Sequence, residues 1–225
     1  MRATVVGCLL LLVSGCAVSE QAKPSQVTYS GFLGDYSELS ATDNKNQALL
    51  RYIDPTAPWS SYTAVFIEPV TFWAGSETKL SPSVQLTLTQ YASQEFRAAL
   101  EAKGVRVVDQ AAPGVVILHM ALTDASSATP VLRTIAVVIP QVRLVSAVTK
   151  LATGQYAFTG SVQSEGEVLD GVTGKRIAAW VDKRFGGTSV KNADVWKWGD
   201  AEKAIDFWAT TAAQRYVDLQ QGQSS

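Results

Sequence analysis

Four acidic residues in the second half of the sequence could do chemistry together: Glu165, Glu167, Asp170 and Asp182. Enzymes that cleave sugar chains need two carboxyl groups at a set separation. Side chains two positions apart on a strand share one face, so Glu165 and Glu167 are candidates for such a pair. The alternative that we favour is a solvated hairpin face, because acidic residues beside turns are commonplace.

His119 is the only histidine, and a nucleophilic Ser-His-Asp or Cys-His arrangement would have to use it. It lies inside the apolar run at residues 115–120, which favours a hydrogen-bonded core or edge histidine over a catalytic one. With two cysteines and one histidine, a zinc site built from several such ligands is excluded. The sequence has neither a GxxxxGK[ST] phosphate loop nor a GxGxxG fingerprint. We therefore expect no metal, no cofactor and no catalytic residues.

Cys16 is a candidate for a chemistry other than catalysis, the covalent attachment of lipid by acylation. Arg2, an apolar stretch over residues 3–13 and the small residues Ser14-Gly15 precede it, as in a secretory signal peptide. The end of this stretch resembles a bacterial lipobox, so we expect residues 1–15 to be a signal, cleavage between Gly15 and Cys16, and lipid on Cys16 to attach the protein to the membrane. Residues 17–19 lack the aspartate that often retains such proteins at the inner membrane, which indicates the outer membrane with the domain facing the periplasm.

Composition and charge limit the class of protein. Hydrophobic residues make up 47% of the chain and aromatic residues 9%, which is enough for a buried core. The formal net charge is −1, and this near-neutral balance argues against nucleic acid as a partner.

The pattern along the chain predicts one domain of mixed type. Residues 17–30 are polar, so we expect a lipidated tether over residues 16–30, and the apolar residues among 31–39 predict an arm that packs on the main body. Residues 62–70 are rich in β-branched and aromatic types, as in a strand. Ser81-Pro82 predicts a helix start and Gly104 its end.

The second half of the chain continues this pattern. Residues 105–108 and 115–122 predict two strands, and residues 165–182 predict a strand pair joined by a turn at residues 170–174. An apolar stripe from Ala201 to Leu219 predicts a closing helix. Together these elements indicate an α/β (α+β) domain over residues 31–220, with a mixed sheet covered by helices.

Residues 131–148 have an apolar density near that of a membrane segment, but Pro140 and two arginines argue against a span. One interpretation is core packing. The other is an exposed surface that contacts a partner, a second copy or lipid headgroups, with the arginines meeting phosphate or carboxylate. The candidate surface comprises Val131, Arg133, Ile135, Val138, Val142, Arg143 and Val145.

A combination of short motifs resembles a known family. The motifs are Tyr29-Ser30-Gly31-Phe32-Leu33 with Tyr36, Tyr52-Ile53-Asp54-Pro55 with Trp59, residues 62–73, Leu132-Arg133-Thr134, residues 140–144, Thr153-Gly154, Tyr156-Ala157-Phe158, Glu165-Gly166-Glu167, residues 170–174, Asp182-Lys183-Arg184 and Trp198-Gly199-Asp200-Ala201. They resemble those of the domain of unknown function 3313 family, bacterial lipoproteins of the cell envelope. The resemblance implies an envelope location and one folded unit, and it brings no catalytic residues.

Three functions remain open at this point. The first is a non-enzymatic, lipid-anchored scaffold or assembly protein that contacts an envelope protein or itself through residues 131–148. The second is a binder of an apolar or sugar ligand in a cavity lined by aromatic and apolar residues. The third is a cell-wall hydrolase that depends on the carboxylates.

Overall fold

A computed structural model describes residues 19–73, 78, 80–126, 160–186 and 198–223. Several of the predicted functional residues lie outside these ranges. They are Gly15, Cys16, Val131, Arg133, Ile135, Val138, Val142, Arg143 and Val145.

Within the described ranges, nine strands form one mixed sheet. Their bounds are β1 Glu20–Gln21, β2 Ser40–Ala41, β3 Leu50–Ile53, β4 Ala64–Ile67, β5 Thr71–Phe72, β6 Arg106–Val108, β7 Val115–Ser126, β8 Ser161–Asp170 and β9 Arg176–Phe185. The order is β2-β3-β9-β8-β7-β4-β6, with β1 pairing with β9 and β5 pairing with β7. The pairs among β4, β5, β6 and β7 are parallel, and the remaining pairs are antiparallel.

Two long helices, α1 (Pro82–Ala102) and α2 (Gly199–Gln220), pack together on one face of this sheet, here called the helix face. Leu88, Phe96, Ile205 and Trp208 from the helices meet Met120 and its neighbours from the strands in the larger of two hydrophobic clusters. The prediction of a mixed sheet covered by helices is confirmed.

The predicted start and end of α1 are also confirmed. The Ser81 hydroxyl accepts a hydrogen bond from the amide of Val84, and Pro82 is the first helical residue, where its missing N–H costs nothing. Gly104 ends the helix with φ +76°, a conformation that glycine adopts without a Cβ clash.

The N-terminal region covers the opposite face of the sheet. Residues 28–39, the N-terminal arm, contribute Leu33 and Tyr36 to a second hydrophobic cluster with Val181 and Phe185 of β9. The packing predicted for this arm is confirmed.

Residues 19–30 differ from the polar tether expected over 16–30. Glu20 and Gln21 pair with Phe185 and Arg184 of β9, and Ala22 is buried. The reason is that the backbone of this segment bonds to the edge of β9 and, through Thr28, to the buried Gln163 side chain, so its polar groups are satisfied by the sheet rather than by water.

Candidate functional site

The arm covers a cluster of polar side chains on the sheet, here called the arm-face cluster. It comprises His119 of β7, Gln163, Glu165 and Glu167 of β8, and Arg176 of β9. Gln163, Glu165 and Glu167 occupy alternate positions of one strand, so they project to the same face, as predicted for Glu165 and Glu167.

Glu165 is fully buried, and arm groups surround its carboxylate. The amide of Ser30 donates to Oε1 at 2.9 Å and the hydroxyl of Tyr36 donates to Oε2 at 2.5 Å. Gln163 Nε2 also donates to Oε1, at 3.3 Å. Burial and the bond to Glu165 raise the pKa of the Tyr36 hydroxyl, which keeps this group protonated and donating.

Glu167 is bound by two other members of the cluster. Its Oε2 accepts from Arg176 Nε at 2.7 Å, and its Oε1 lies 3.0 Å from His119 Nδ1. Arg176 also donates to the carbonyls of Leu33 and Asp35 in the arm. The partner of His119 is thus a structural carboxylate, in agreement with the interpretation of a hydrogen-bonded core or edge histidine, and β7 is an inner strand of the sheet.

The interpretation of the acidic residues as a solvated hairpin face is wrong for three of them. Glu165 and Asp182 are fully buried and Glu167 is 9% exposed. Asp170 is the exception: its Oδ1 accepts from the amides of Val172 and Thr173 and closes the predicted turn. Since protein groups already bind the carboxylates of Glu165 and Glu167, this cluster fastens the arm. Among the residues that the structure describes, no group of three or more His, Cys, Asp or Glu residues is placed to hold a metal ion.

A cavity of about 460 Å³ lies on the other side of the sheet, between the helix face and the two helices. Its size falls within the range of about 300–1,000 Å³ typical of small-molecule sites. The walls include Val116, Leu118, Val168 and Trp180 from the sheet and Phe96, Leu100, Trp208 and Tyr216 from the helices. These walls are apolar and aromatic, so the space suits an apolar group rather than water.

Trp180 shapes one wall of this cavity. Its ring packs across Gly166 on the neighbouring strand, where a Cβ atom would lie 2.2 Å from the ring. Its indole Nε1 donates to the Ser164 hydroxyl at 3.2 Å. Both contacts fix the ring against β8, since Gly166 lets the ring approach and Ser164 sets its direction.

Polar residues line the remainder of the cavity, here called the rim. They come from the loop before β3, from β3 itself, from the end of α1 and from α2: Asn44, Asn46, Gln47, Arg51, Lys103, Gln214, Arg215 and Asp218. Gln47 Oε1 is buried and has no hydrogen-bond partner within the described part of the chain.

A cavity lined by aromatic and apolar residues is one of the three possibilities that the sequence leaves open, but no motif indicates which residues line it. Phe96, Leu100, Trp208 and Tyr216 belong to apolar helical stripes that also predict ordinary core packing, and they face a cavity only because the sheet and helices leave space between them. Arg51 and Arg215 lie far apart in the sequence, and neither belongs to one of the motifs described above.

Fold and site together define a single-domain α+β protein with an apolar cavity between its sheet and its helices. Neither of the described helices is long and apolar enough to cross a membrane. A family described as "Protein of unknown function (DUF3313)" matches residues 28–212. The chain belongs to this family, as its short motifs predict.

A curated relative is similar over almost the whole chain. The chain is 30% identical over 208 residues to the "Uncharacterized lipoprotein YdcL" of Escherichia coli, with 91% of each chain covered. Since this relative is a lipoprotein, the comparison supports membrane association in the cell envelope.

Two solved structures are similar to this chain at a low level. A PelC dodecamer from Paraburkholderia phytofirmans is 12% identical, with a TM-score of 0.38 over 72% of this chain and 93% of that chain. A DUF4136 family protein from Bacteroides thetaiotaomicron is 11% identical, with a TM-score of 0.32 over 74% of this chain and 95% of that chain.

Proposed function

We propose that this chain is a lipid-anchored protein of the cell envelope that binds a small, largely apolar ligand in the cavity between its sheet and helices. The observation that carries the proposal is the apolar cavity of about 460 Å³. The apolar walls of this space are partly open to solvent. A ligand that covers them removes apolar surface from water, which favours binding.

The anchor belongs to the same proposal. Cys16 carries the lipid and the domain faces the periplasm from the outer membrane. The lipobox-like sequence before Cys16, the absence of an aspartate at residues 17–19 and the lipoprotein relative support this location.

The protein acts without catalysing a reaction. Support comes from the arm-face cluster, in which Ser30, Tyr36 and Gln163 bind Glu165, and Arg176 binds Glu167. A general acid or nucleophile must instead reach its substrate, and the arm covers these carboxylates.

Filling the cavity tests the proposal. Ala212 lines the cavity and is partly buried, so Ala212→Leu should reduce its volume. Ala102, at the exposed end of α1, is outside the cavity, and Ala102→Leu is the matched control. Native mass spectrometry of protein purified from cells should show a bound adduct on the wild type and on Ala102→Leu, and its loss from Ala212→Leu. Thermal unfolding of both variants checks that each is folded.

Two results would contradict this binding function. A clean ligand-free mass for all three proteins would mean that the cavity holds no stable ligand. An adduct that persists on a folded Ala212→Leu variant would place the ligand elsewhere.

The apolar segment at residues 131–148 favours a second candidate function, scaffolding or assembly by protein contact. Its support is the sequence alone: a valine-rich run that carries Arg133 and Arg143. In-cell photo-crosslinking from positions 135, 138, 142 and 145 should give a discrete adduct, either to an envelope protein or to a second copy. Absence of an adduct from all four positions would assign the segment to the core and leave the ligand-binding function.

A further inference from the structure

Two large aromatic side chains are exposed on the side of the sheet that the arm covers. Among the described residues, the exposed large apolar side chains are Tyr29 (54%), Trp73 (50%), Leu86 (57%) and Val172 (65%). Leu86 belongs to α1 and Val172 to the turn between β8 and β9. Tyr29 belongs to the arm, and Trp73 directly follows β5 and donates from Nε1 to the carbonyl of Ser30 in the arm at 3.3 Å. The exposed rings of Tyr29 and Trp73, here called the aromatic pair, therefore lie beside the same part of the arm.

Other rings beneath the aromatic pair hold it in place. The Tyr29 ring stacks on that of Tyr36, with 4.3 Å between the centroids. The Trp73 ring meets that of Phe32 edge to face at 5.7 Å, and Phe32 in turn packs on His119 of β7 at 4.5 Å. Both exposed rings are thus already ordered before they contact a partner, so binding through them costs little side-chain entropy.

The first described residues of the chain enter the sheet close to this pair. The amide of Ala22 donates to the carbonyl of Lys183 in β9 at 2.8 Å, and Lys183 pairs with Gln163 of β8. The Gln163 side chain donates to the carbonyl of Thr28, the residue before Tyr29, at 2.7 Å. Neighbouring strands are about 4.8 Å apart, so Ala22 and Thr28 are about 10 Å apart across the sheet.

The connection from this point to Cys16 is short. Ser19 is buried, and only residues 17 and 18 separate it from Cys16. A lipid on Cys16 would therefore keep the arm side of the domain next to the bilayer, at a high effective concentration. Under this condition a small apolar surface is enough to set the orientation of the domain, although it would not bind a membrane firmly by itself.

We propose that the aromatic pair inserts into the headgroup region of the bilayer to which Cys16 is attached. The domain is then held with the arm toward the membrane and the helix face away from it. This inference rests on the proposed lipid anchor and adds a contact surface and an orientation. Tryptophan and tyrosine suit this position because each combines an apolar ring with a polar group, and both are enriched at membrane–water interfaces.

Tryptophan fluorescence of the full lipidated chain tests the inference. The protein is reconstituted in phosphatidylcholine vesicles whose acyl chains carry bromine near the headgroup, which quenches an indole on contact. We expect quenching of the wild type relative to unbrominated vesicles, and loss of most of it in Trp73→Phe. The rings of Trp59, Trp198 and Trp208 are buried, so they should contribute little in either protein.

Two further variants move the indole while Trp73→Phe is kept. Tyr29→Trp places it at the second position of the aromatic pair and should restore the quenching. Leu86→Trp is the matched control, because Leu86 is as exposed as Tyr29 but belongs to α1 on the other side of the sheet. It should remain unquenched. Thermal unfolding of each variant checks that it is folded.

The failures of the orientation and of the anchor are distinguishable. Equal quenching of the wild type and Trp73→Phe, or of Leu86→Trp and Tyr29→Trp, would overturn the orientation, and flotation of the protein with the vesicles would show that the anchor still holds. A second copy or a glycan on the aromatic pair would likewise leave Trp73 unquenched by lipid and overturn the inference. Protein from cells that carries no lipid on Cys16, as measured by mass spectrometry, would count against both.

Discussion

The side chain of Asp182 shows how single buried residues hold this fold together. It is fully buried on β9, and its two oxygens accept from Arg184 Nε, Trp208 Nε1, Gln21 Nε2 and the amide of Leu49. These bonds link β9 to β1, to α2 and to the residue that precedes β3. A buried carboxylate is tolerated when such donors replace its water, and here one residue joins neighbouring parts of the sheet to helix α2.

A second acidic residue, Asp54, should make the stability of the fold depend on pH. Lys175 Nζ donates to its Oδ2 at 2.7 Å, and Thr56 donates to Oδ1. These bonds lower the pKa of Asp54 from 3.8 to about 2. Between about pH 2 and pH 3.8 the unfolded state binds more protons than the folded state. The stabilisation of the fold by the ionised Asp54 is therefore complete above about pH 5 and is lost as the pH falls toward 2.

Urea unfolding at several pH values checks this expectation. Asp54→Asn should be less stable than the wild type at pH 6, and the difference should shrink toward pH 3. Asp109→Asn is the control, because 94% of the Asp109 side chain is exposed. A difference between wild type and Asp54→Asn that stays constant from pH 6 to pH 3 would contradict the assignment.

Elements of the fold differ in how far the sequence predicts them. Helix α1 could be predicted at both ends because Ser81, Pro82 and Gly104 act locally. The hairpin β8–β9 could be predicted from its turn, which Asp170 closes through its own neighbours. Strand β1 could not, since two residues have no periodicity and its partner on β9 lies more than 160 positions away.

The same reasoning explains why neither the arm-face cluster nor the cavity could be predicted from the sequence. An isolated glutamate such as Glu165 is expected at the surface. It is buried because the amide of Ser30 and the hydroxyl of Tyr36 bind it, and these residues lie about 130 positions earlier. The sequence around Glu165 does not indicate such distant partners. The cavity likewise depends on the distance between packed elements, to which periodicity is insensitive.

The arm is therefore an element whose stability can be tested separately. The Tyr36 hydroxyl accepts from the amides of Gly31 and Leu33 and donates to Glu165. Tyr36→Phe removes all three bonds, so opening of the arm should become easier by about 1–2 kcal/mol. Hydrogen exchange should show about tenfold faster exchange of the amides over residues 30–36 and no change in α1.

Tyr29→Phe is the matched control for the arm. The Tyr29 ring stacks on Tyr36 at a centroid distance of 4.3 Å, and the residue is 54% exposed, so loss of its hydroxyl should leave exchange in the arm unchanged. If Tyr36→Phe also leaves it unchanged, packing of Leu33 and Phe32 holds the arm and the hydrogen bonds do not.

At the scale of the whole molecule, a sheet separates two different surfaces. Helices α1 and α2 and the cavity lie on one face, and the N-terminal arm, which leads back toward Cys16, lies on the other. The class of the fold could be predicted from the order of its elements. Its division into a face with the cavity and a face covered by the arm could not, since that depends on where the arm crosses the sheet.

The association of the protein with the membrane should depend on Cys16 alone. Cys16→Ser should release the protein from the membrane fraction into the periplasm, because no described helix replaces the lipid as an anchor. Fractionation followed by immunoblotting measures this, with Cys8→Ser as the control that keeps Cys16. Retention of Cys16→Ser in the membrane fraction would mean that another contact holds the protein there.

For the proposed lipid-anchored protein, the pairing of β1 with β9 sets how far the domain can move from the membrane. Ser19 is already buried and Glu20 is already in the sheet, so three peptide units separate Cys16 from the folded body. A segment of this length spans at most about 11 Å when fully extended. A domain lipidated at Cys16 is thus confined to the surface of its own bilayer, where it can exchange molecules with that leaflet but cannot reach the opposite membrane on its own.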